Sequence, residues 1–275
     1  MRVLITGASS GIGRDLAREF AKRNCDLVLV ARNTEKLENL KNELIGEYKI
    51  NAEYVCLDLS KEANCIQLHE KVKDVDILVN NAGLGDFGRF YETELTKDLD
   101  IIETNIKALH ILTKLYLKDM KEKDNGRILN VASIAGFMPG PLMATYYASK
   151  NYVVRLSEAI REELHKEKSN VRISILCPGP VKTNFNNVAN VKFELNSLTS
   201  EYVANYTVNK FLKDKFYIVP GFTIKCIKTF SKIVPTSILA KVSYYMQKRK
   251  ESRNWWSYII SKIKKLKWRN VIWRL

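Results

Sequence analysis

The 275-residue sequence is short of the residues that build metal sites and covalent frames. Its three histidines are scattered. Its five cysteines, at 25, 56, 65, 177 and 226, form no Cys-x2-Cys pair and leave one over, so neither a zinc site nor a disulfide frame is expected. No apolar run approaches the roughly 18 residues of a membrane span. Arg2 is followed at once by Val-Leu-Ile-Thr-Gly, without the pattern of a secretory leader, and a reducing, cytoplasmic setting is expected. Acidic residues run short at one end only. From residue 201 onward there are 3 Asp/Glu against 17 Lys/Arg, whereas the first 200 residues hold 27 against 28. A nucleic-acid binder carries its basic surface on the recognition domain itself, so the near-neutral body argues against nucleic acid.

What is present is a regular alternation. Seven runs have strand composition: "RVLIT", "DLVLVA", "EYVCLDL", "DILVNNAG", "GRILNVAS", "VRISILCPG" and "FYIVPG". Stretches with helical periodicity, such as "TEKLENLKNELIGEY" and "YVVRLSEAIREELHKE", lie between them. Strand then helix, repeated with short connections, predicts a doubly wound α/β fold of Rossmann type, with a mostly parallel seven-stranded sheet covered on both faces. The pattern changes past "VPGF" at 219–222. Residues 1–222 are therefore expected to form the core domain, and 223–275 a basic, tryptophan-rich helical extension.

The first strand breaks into Gly7-Ala-Ser-Ser-Gly11-Ile-Gly13 before the first helix. Glycines there let the backbone turn sharply and approach a ligand, and the helix N-terminus presents unpaired N–H groups to a diphosphate. The spacing differs from the common Gly-x-Gly-x2-Gly fingerprint, and a ligand-free turn is the alternative.

These residues resemble the short-chain dehydrogenases/reductases. "TGASSGIG" at 6–13 matches that family's cofactor loop, "NNAG" at 80–83 its strand-four motif and "YYASK" at 146–150 its active-site motif. "PGPVKTNF", "SEYVA" and "IVPG" further resemble a subgroup of bacterial carbonyl reductases. The resemblance spans about 1–222. It implies an NAD(P)-dependent oxidoreductase whose cofactor contacts are Gly7, Ser9, Ser10, Gly11, Ile12, Gly13, Asp58, Leu59, Asn81, Ala82, Gly83, Tyr146, Lys150, Pro178, Gly179, Val181 and Thr183. Asp58 would meet the adenine, or else cap a helix. Strand two ends "ARN" with no carboxylate, so Arg32 is expected to meet a 2′-phosphate, which points to NADP(H); an ordinary surface arginine is the alternative.

Four Tyr-x3-Lys pairs occur among 13 tyrosines, so that spacing alone identifies nothing. The resemblance selects Tyr146 and Lys150, with Ser133 and Asn105, as the catalytic group. It implies Tyr146 as general acid, its phenol brought from about 10 toward neutrality by Lys150 and the nicotinamide charge. Ser133 would hydrogen-bond the carbonyl oxygen. Lys150 would also bind the nicotinamide ribose, and Asn105 would position a water. Tyr147 reads as packing and Cys177 as a small buried residue.

The expected function is NADPH-dependent reduction of a small-molecule ketone, with 3-oxoacyl and steroid ketones as alternative substrates. A non-catalytic NADP-binding or membrane-associated protein on the same fold is the competing reading. Family members are often homodimers or homotetramers. In the tail, Trp256, Ile259, Ile260, Ile263 and Leu266 are helically spaced among lysines. Such a stripe either packs on protein or meets an anionic membrane.

Overall fold

Each of the seven β-rich runs becomes a strand of one sheet in the computed structural model, which describes residues 1–185, 189, 197–231 and 233–248. In chain order the strands are β1 (Arg2–Thr6), β2 (Asp26–Ala31), β3 (Ala52–Cys56), β4 (Ile77–Asn80), β5 (Arg127–Val131), β6 (Arg172–Leu176), the short β7 (Val181–Lys182) and β8 (Leu198–Thr199), and β9 (Tyr217–Ile218). The large sheet runs β3-β2-β1-β4-β5-β6-β9, and every pairing in it is parallel. β7 and β8 form a separate parallel pair.

The strands are apolar on both faces because helices cover both. Along β1, Val3 and Ile5 join one core cluster while Leu4 joins the other, the two-residue period of a strand. The first cluster is completed by α1 (Gly11–Ala21), α2 (Thr34–Tyr48) and α7 (Ser200–Phe211). The second takes α3 (Glu62–Lys71), α5 (Leu109–Glu122) and α6 (Ala144–Lys166). Local chemistry sets several boundaries. The Asn33 side chain caps α2 by accepting from the Lys36 N–H at 2.8 Å, and Lys49 ends it at φ 56°. Thr199 caps α7 through the Tyr202 N–H. Between α4 (Leu95–Ile102) and α5, residues Glu103–Ala108 widen into a π-helical turn.

The strand order reverses between β1 and β4, and the crevice outside the carboxyl ends of these strands is where an open α/β sheet binds ligands. The C-terminal segment closes over that crevice. α8 (Phe222–Phe230) rests on it through Ile224, whose side chain lies where a Cβ on Gly179 would come within 2.5 Å. A further helix over 236–248 turns Gln247 toward the same crevice. The stripe from Trp256 to Leu266 and all four tryptophans lie outside the described residues.

Candidate active site

The glycine loop and the Tyr146 helix face each other across one cleft of about 590 Å³. Gly7 and Gly11 stand at φ 67° and 55°, a region L side chains rarely adopt. A Cβ on Gly7 would come within 2.9 Å of the Ala82 Cα, and one on Gly11 within 3.0 Å of Thr183 Cγ2. The loop is tied to the end of β4 by Thr6, whose hydroxyl accepts the N–H groups of Asn81 and Ala82, both at 3.0 Å. The Asn81 amide donates back to the carbonyls of Thr6 and Gly7 at 3.0 and 3.1 Å. Ser10 precedes α1 without capping it through its side chain. Rigid glycine backbone before an uncapped helix start is a cradle suited to a diphosphate, so the residues present fit a dinucleotide.

Most residues expected at the cofactor do line this cleft: Gly7, Ser9, Ser10, Gly11, Ile12, Arg32, Asp58, Leu59 and Asn81–Gly83 at one end, Pro178, Gly179, Val181 and Thr183 at the other. Gly13 does not. A Cβ there would come within 2.3 Å of the Gly7 carbonyl oxygen, so Gly13 lets α1 pack closely behind the loop. Asp58 does not cap α3, which follows Lys61; it accepts the Ser60 N–H at 3.1 Å. Against the upward pull of burial, the Ser60 hydrogen bonds and the Arg32 charge hold its carboxyl below the ordinary 3.8.

Ser133, Tyr146 and Lys150 line the cleft together. Ser133 ends the β5 segment and accepts the Ala135 N–H at 3.2 Å, and its side chain is hydrogen-bonded to that of Tyr146. Lys150, one turn beyond Tyr146, donates to the Val131 carbonyl at 3.0 Å and lies 5.8 Å from the Tyr146 ring centroid. Burial pushes the Lys150 ammonium down to about 8 and the Tyr146 phenol up to about 12, the latter despite the Ser133 hydrogen bond. The fall toward neutrality is expected of Lys150 together with the nicotinamide charge, and the protein's own groups alone leave burial as the largest influence on both side chains. The ammonium is engaged by a backbone carbonyl, and desolvation dominates both side chains. Cys177, also buried, is held as a thiol with its value pushed up to about 12.

Asn105 sits behind the cleft in the π-helical turn rather than on its wall. Its amide donates to the Leu84 carbonyl and to Ser149 Oγ, both at 2.9 Å, while its oxygen accepts the Leu84 N–H at 2.8 Å. Ser149 Oγ in turn donates to the Tyr146 carbonyl at 2.7 Å. Through these bonds Asn105 couples the segment after β4 to the helix that carries Tyr146.

At the other end of the cleft Phe185, read from the sequence as part of a segment over the substrate, meets residues that sequence reasoning did not name. Met143, Phe185, Phe87 and Ala189 form an apolar cluster around Tyr146 and Tyr147, with the Phe185 ring 5.4 Å from that of Tyr146. Tyr147, expected only to pack, accepts a 2.6 Å hydrogen bond from the Gln247 amide, and Ser243 is hydrogen-bonded to the same hydroxyl. A polar pair four residues apart in the tail was the available signal, but nothing local tied it to residue 147.

Comparison with known proteins places these features in company. Residues 1–192 match the short chain dehydrogenase family. Hydroxysteroid dehydrogenase-like protein 1 of Gallus gallus is 36% identical over 165 residues, covering 58% of this chain and 50% of that protein. A very-long-chain 3-oxoacyl-CoA reductase of Lodderomyces elongisporus is 35% identical over 185 residues, covering 62% and 53%. The chain thus spans about half the length of these two curated relatives. Among solved structures, a short-chain dehydrogenase from Sphingobium yanoikuyae in complex with NADPH aligns with TM-score 0.76 at 29% identity, over 80% of this chain and 88% of that one. A relative from Burkholderia phymatum in complex with NAD aligns with TM-score 0.76 at 26% identity, over 83% and 91%.

Proposed function

Because the chain belongs to the short chain dehydrogenase family of oxidoreductases, we propose that it reduces a ketone to a secondary alcohol with NADPH. The observation that carries this reading is a single cleft lined by both the glycine cradle and the Ser133, Tyr146 and Lys150 side chains. Bound NADPH supplies the hydride. The protein's share is the proton: Tyr146 donates it to the carbonyl oxygen while Ser133 steadies the charge developing there. A phenol lifted to about 12 stays protonated near neutral pH, the form that reduction consumes. Lys150 holds the cofactor ribose, and Asn105 keeps the Tyr146 helix in register with the segment after β4.

The choice of NADP(H) rests on Arg32 at the mouth of the cleft and on the lack of an acid at the end of β2. The apolar surroundings of Tyr146 favour an uncharged ketone, with 3-oxoacyl and steroid ketones as members of the class suggested by the relatives' names. An oligomeric, cytoplasmic enzyme built on residues 1–222, with 223–275 as an extension that shapes the substrate end, completes the reading. The test is NADPH oxidation against a ketone panel that includes both classes. Turnover by the native protein is expected, and Tyr146→Phe should lower kcat by about 100-fold or more while leaving NADPH binding intact. NADPH binding without turnover of any panel member would instead favour the non-catalytic reading.

A further inference from the structure

The helix over 236–248 turns Ser243 and Gln247 inward, 3% and 4% exposed, with half-buried Leu239, Ala240 and Tyr244 on the same side. Its outward face carries Ile238, Val242, Tyr245 and Met246, from 49% to 66% exposed, at the i, i+4, i+7 and i+8 positions of one stripe. The preceding segment repeats the pattern, with Phe222 at 81%, Phe230 at 63% and Ile233 at 78% exposed. Lys225, Lys241 and Lys248 are exposed among these residues. A helix facing only water places its polar residues outward, so this arrangement calls for an apolar neighbour.

Charge decides which neighbour. Residues 222–275 contain 14 Lys/Arg and a single acid, Glu251. A second copy would set the same basic surface against itself. An anionic lipid surface attracts it and at the same time accepts apolar side chains at the headgroup boundary. The 27 residues beyond the described helix continue this chemistry, with nine Lys/Arg and all four tryptophans, the aromatic residue most at home at that boundary. Among the described residues no helix is long and apolar enough to cross a membrane.

We propose that the outward face of residues 222–248 is a docking surface for an anionic bilayer. Since Gln247 on the inward face lines the cleft, docking sets the substrate end about one helix diameter, roughly 10 Å, from the lipid. This surface stands independently of the reductase reading, and its test uses no turnover. The full-length protein is sedimented with phosphatidylserine-containing vesicles and with pure phosphatidylcholine vesicles. Binding to the first, weakened by salt and absent from the second, is expected. The Ile238→Ser/Val242→Ser/Tyr245→Ser variant should partition about tenfold more weakly. The Lys225→Glu/Lys241→Glu variant, which leaves the apolar stripe alone, should do the same. Thermal unfolding checks that both variants fold. The proposal is overturned by no sedimentation on anionic vesicles, by equal binding to both vesicle types, or by unchanged binding in both variants, which would assign contact to 249–275. It is equally overturned by binding to polyglutamate but not to vesicles, or by a dimer in sedimentation velocity that the serine variant dissociates.

Discussion

Arg32 shows how much one exposed side chain can decide at residue scale. It follows β2, lines the cleft and adds its charge to the field at Asp58, beside a position where an acid would repel a 2′-phosphate. Arg32→Ala should weaken NADPH binding by about 10- to 100-fold, the worth of a charge-assisted contact, and leave NADH binding unchanged. Fluorescence titration of both cofactors checks this; equal losses would remove the argument for NADP(H). Tyr146 teaches the complementary lesson. Its identity was legible from the motif, yet its proton affinity was not. Burial raises the phenol, and that burial is set by the walls of the assembled cleft rather than by the motif.

At element scale, the link between α6 and the 236–248 helix is a side-chain contact across 100 residues of sequence. Replacing Gln247 by Leu removes one of the two side-chain hydrogen bonds to the half-buried Tyr147 hydroxyl and leaves that of Ser243, at a cost of about 1 kcal/mol that falls on the docking of that helix. Faster amide exchange over 236–248 is expected, together with a KM for bulky ketones raised several-fold and an unchanged NADPH Kd. Exchange and KM both equal to the native values would mean that the contact does nothing for the cleft. Asn105 shows the same dependence on assembly. Its motif was recognisable, but its partners Leu84 and Ser149 meet it only because the π-helical turn presents its amide to both.

At the scale of the whole molecule, buried carboxylates tie stability to pH. Glu19 of α1 accepts from Lys22 and Arg23, each at 2.9 Å, and from Asn205 of α7 at 2.9 Å. Burial raises its proton affinity, but these bonds outweigh it and hold the carboxyl below 4.5. Glu43 is held below 4.5 chiefly by its hydrogen bond with Arg18. A carboxylate lowered in the folded state binds more protons when unfolded, so its stabilisation is complete well above the unfolded value and drains away as pH falls through the folded one. The urea midpoint should therefore hold between about pH 7 and 5 and fall below 4.5. Glu19→Gln should lower stability by about 2 kcal/mol at pH 7 and flatten part of that decline. A midpoint that stays level to pH 3 would contradict it.

The sequence by itself determined the alternation of strands and helices and the glycine loop, both written in local spacing: two-residue and 3.6-residue periods and a motif a few residues long. The Ser133, Tyr146 and Lys150 set was singled out by its resemblance to a family motif, since the Tyr-x3-Lys spacing recurs elsewhere in the chain. Only the tertiary structure decided that Gly13 packs against the Gly7 carbonyl, that Asn105 couples two elements, and that Tyr147 meets the 236–248 helix. Those roles depend on atoms brought together from distant parts of the chain, and their burial and hydrogen bonding exist only once the sheet and its covering helices have assembled.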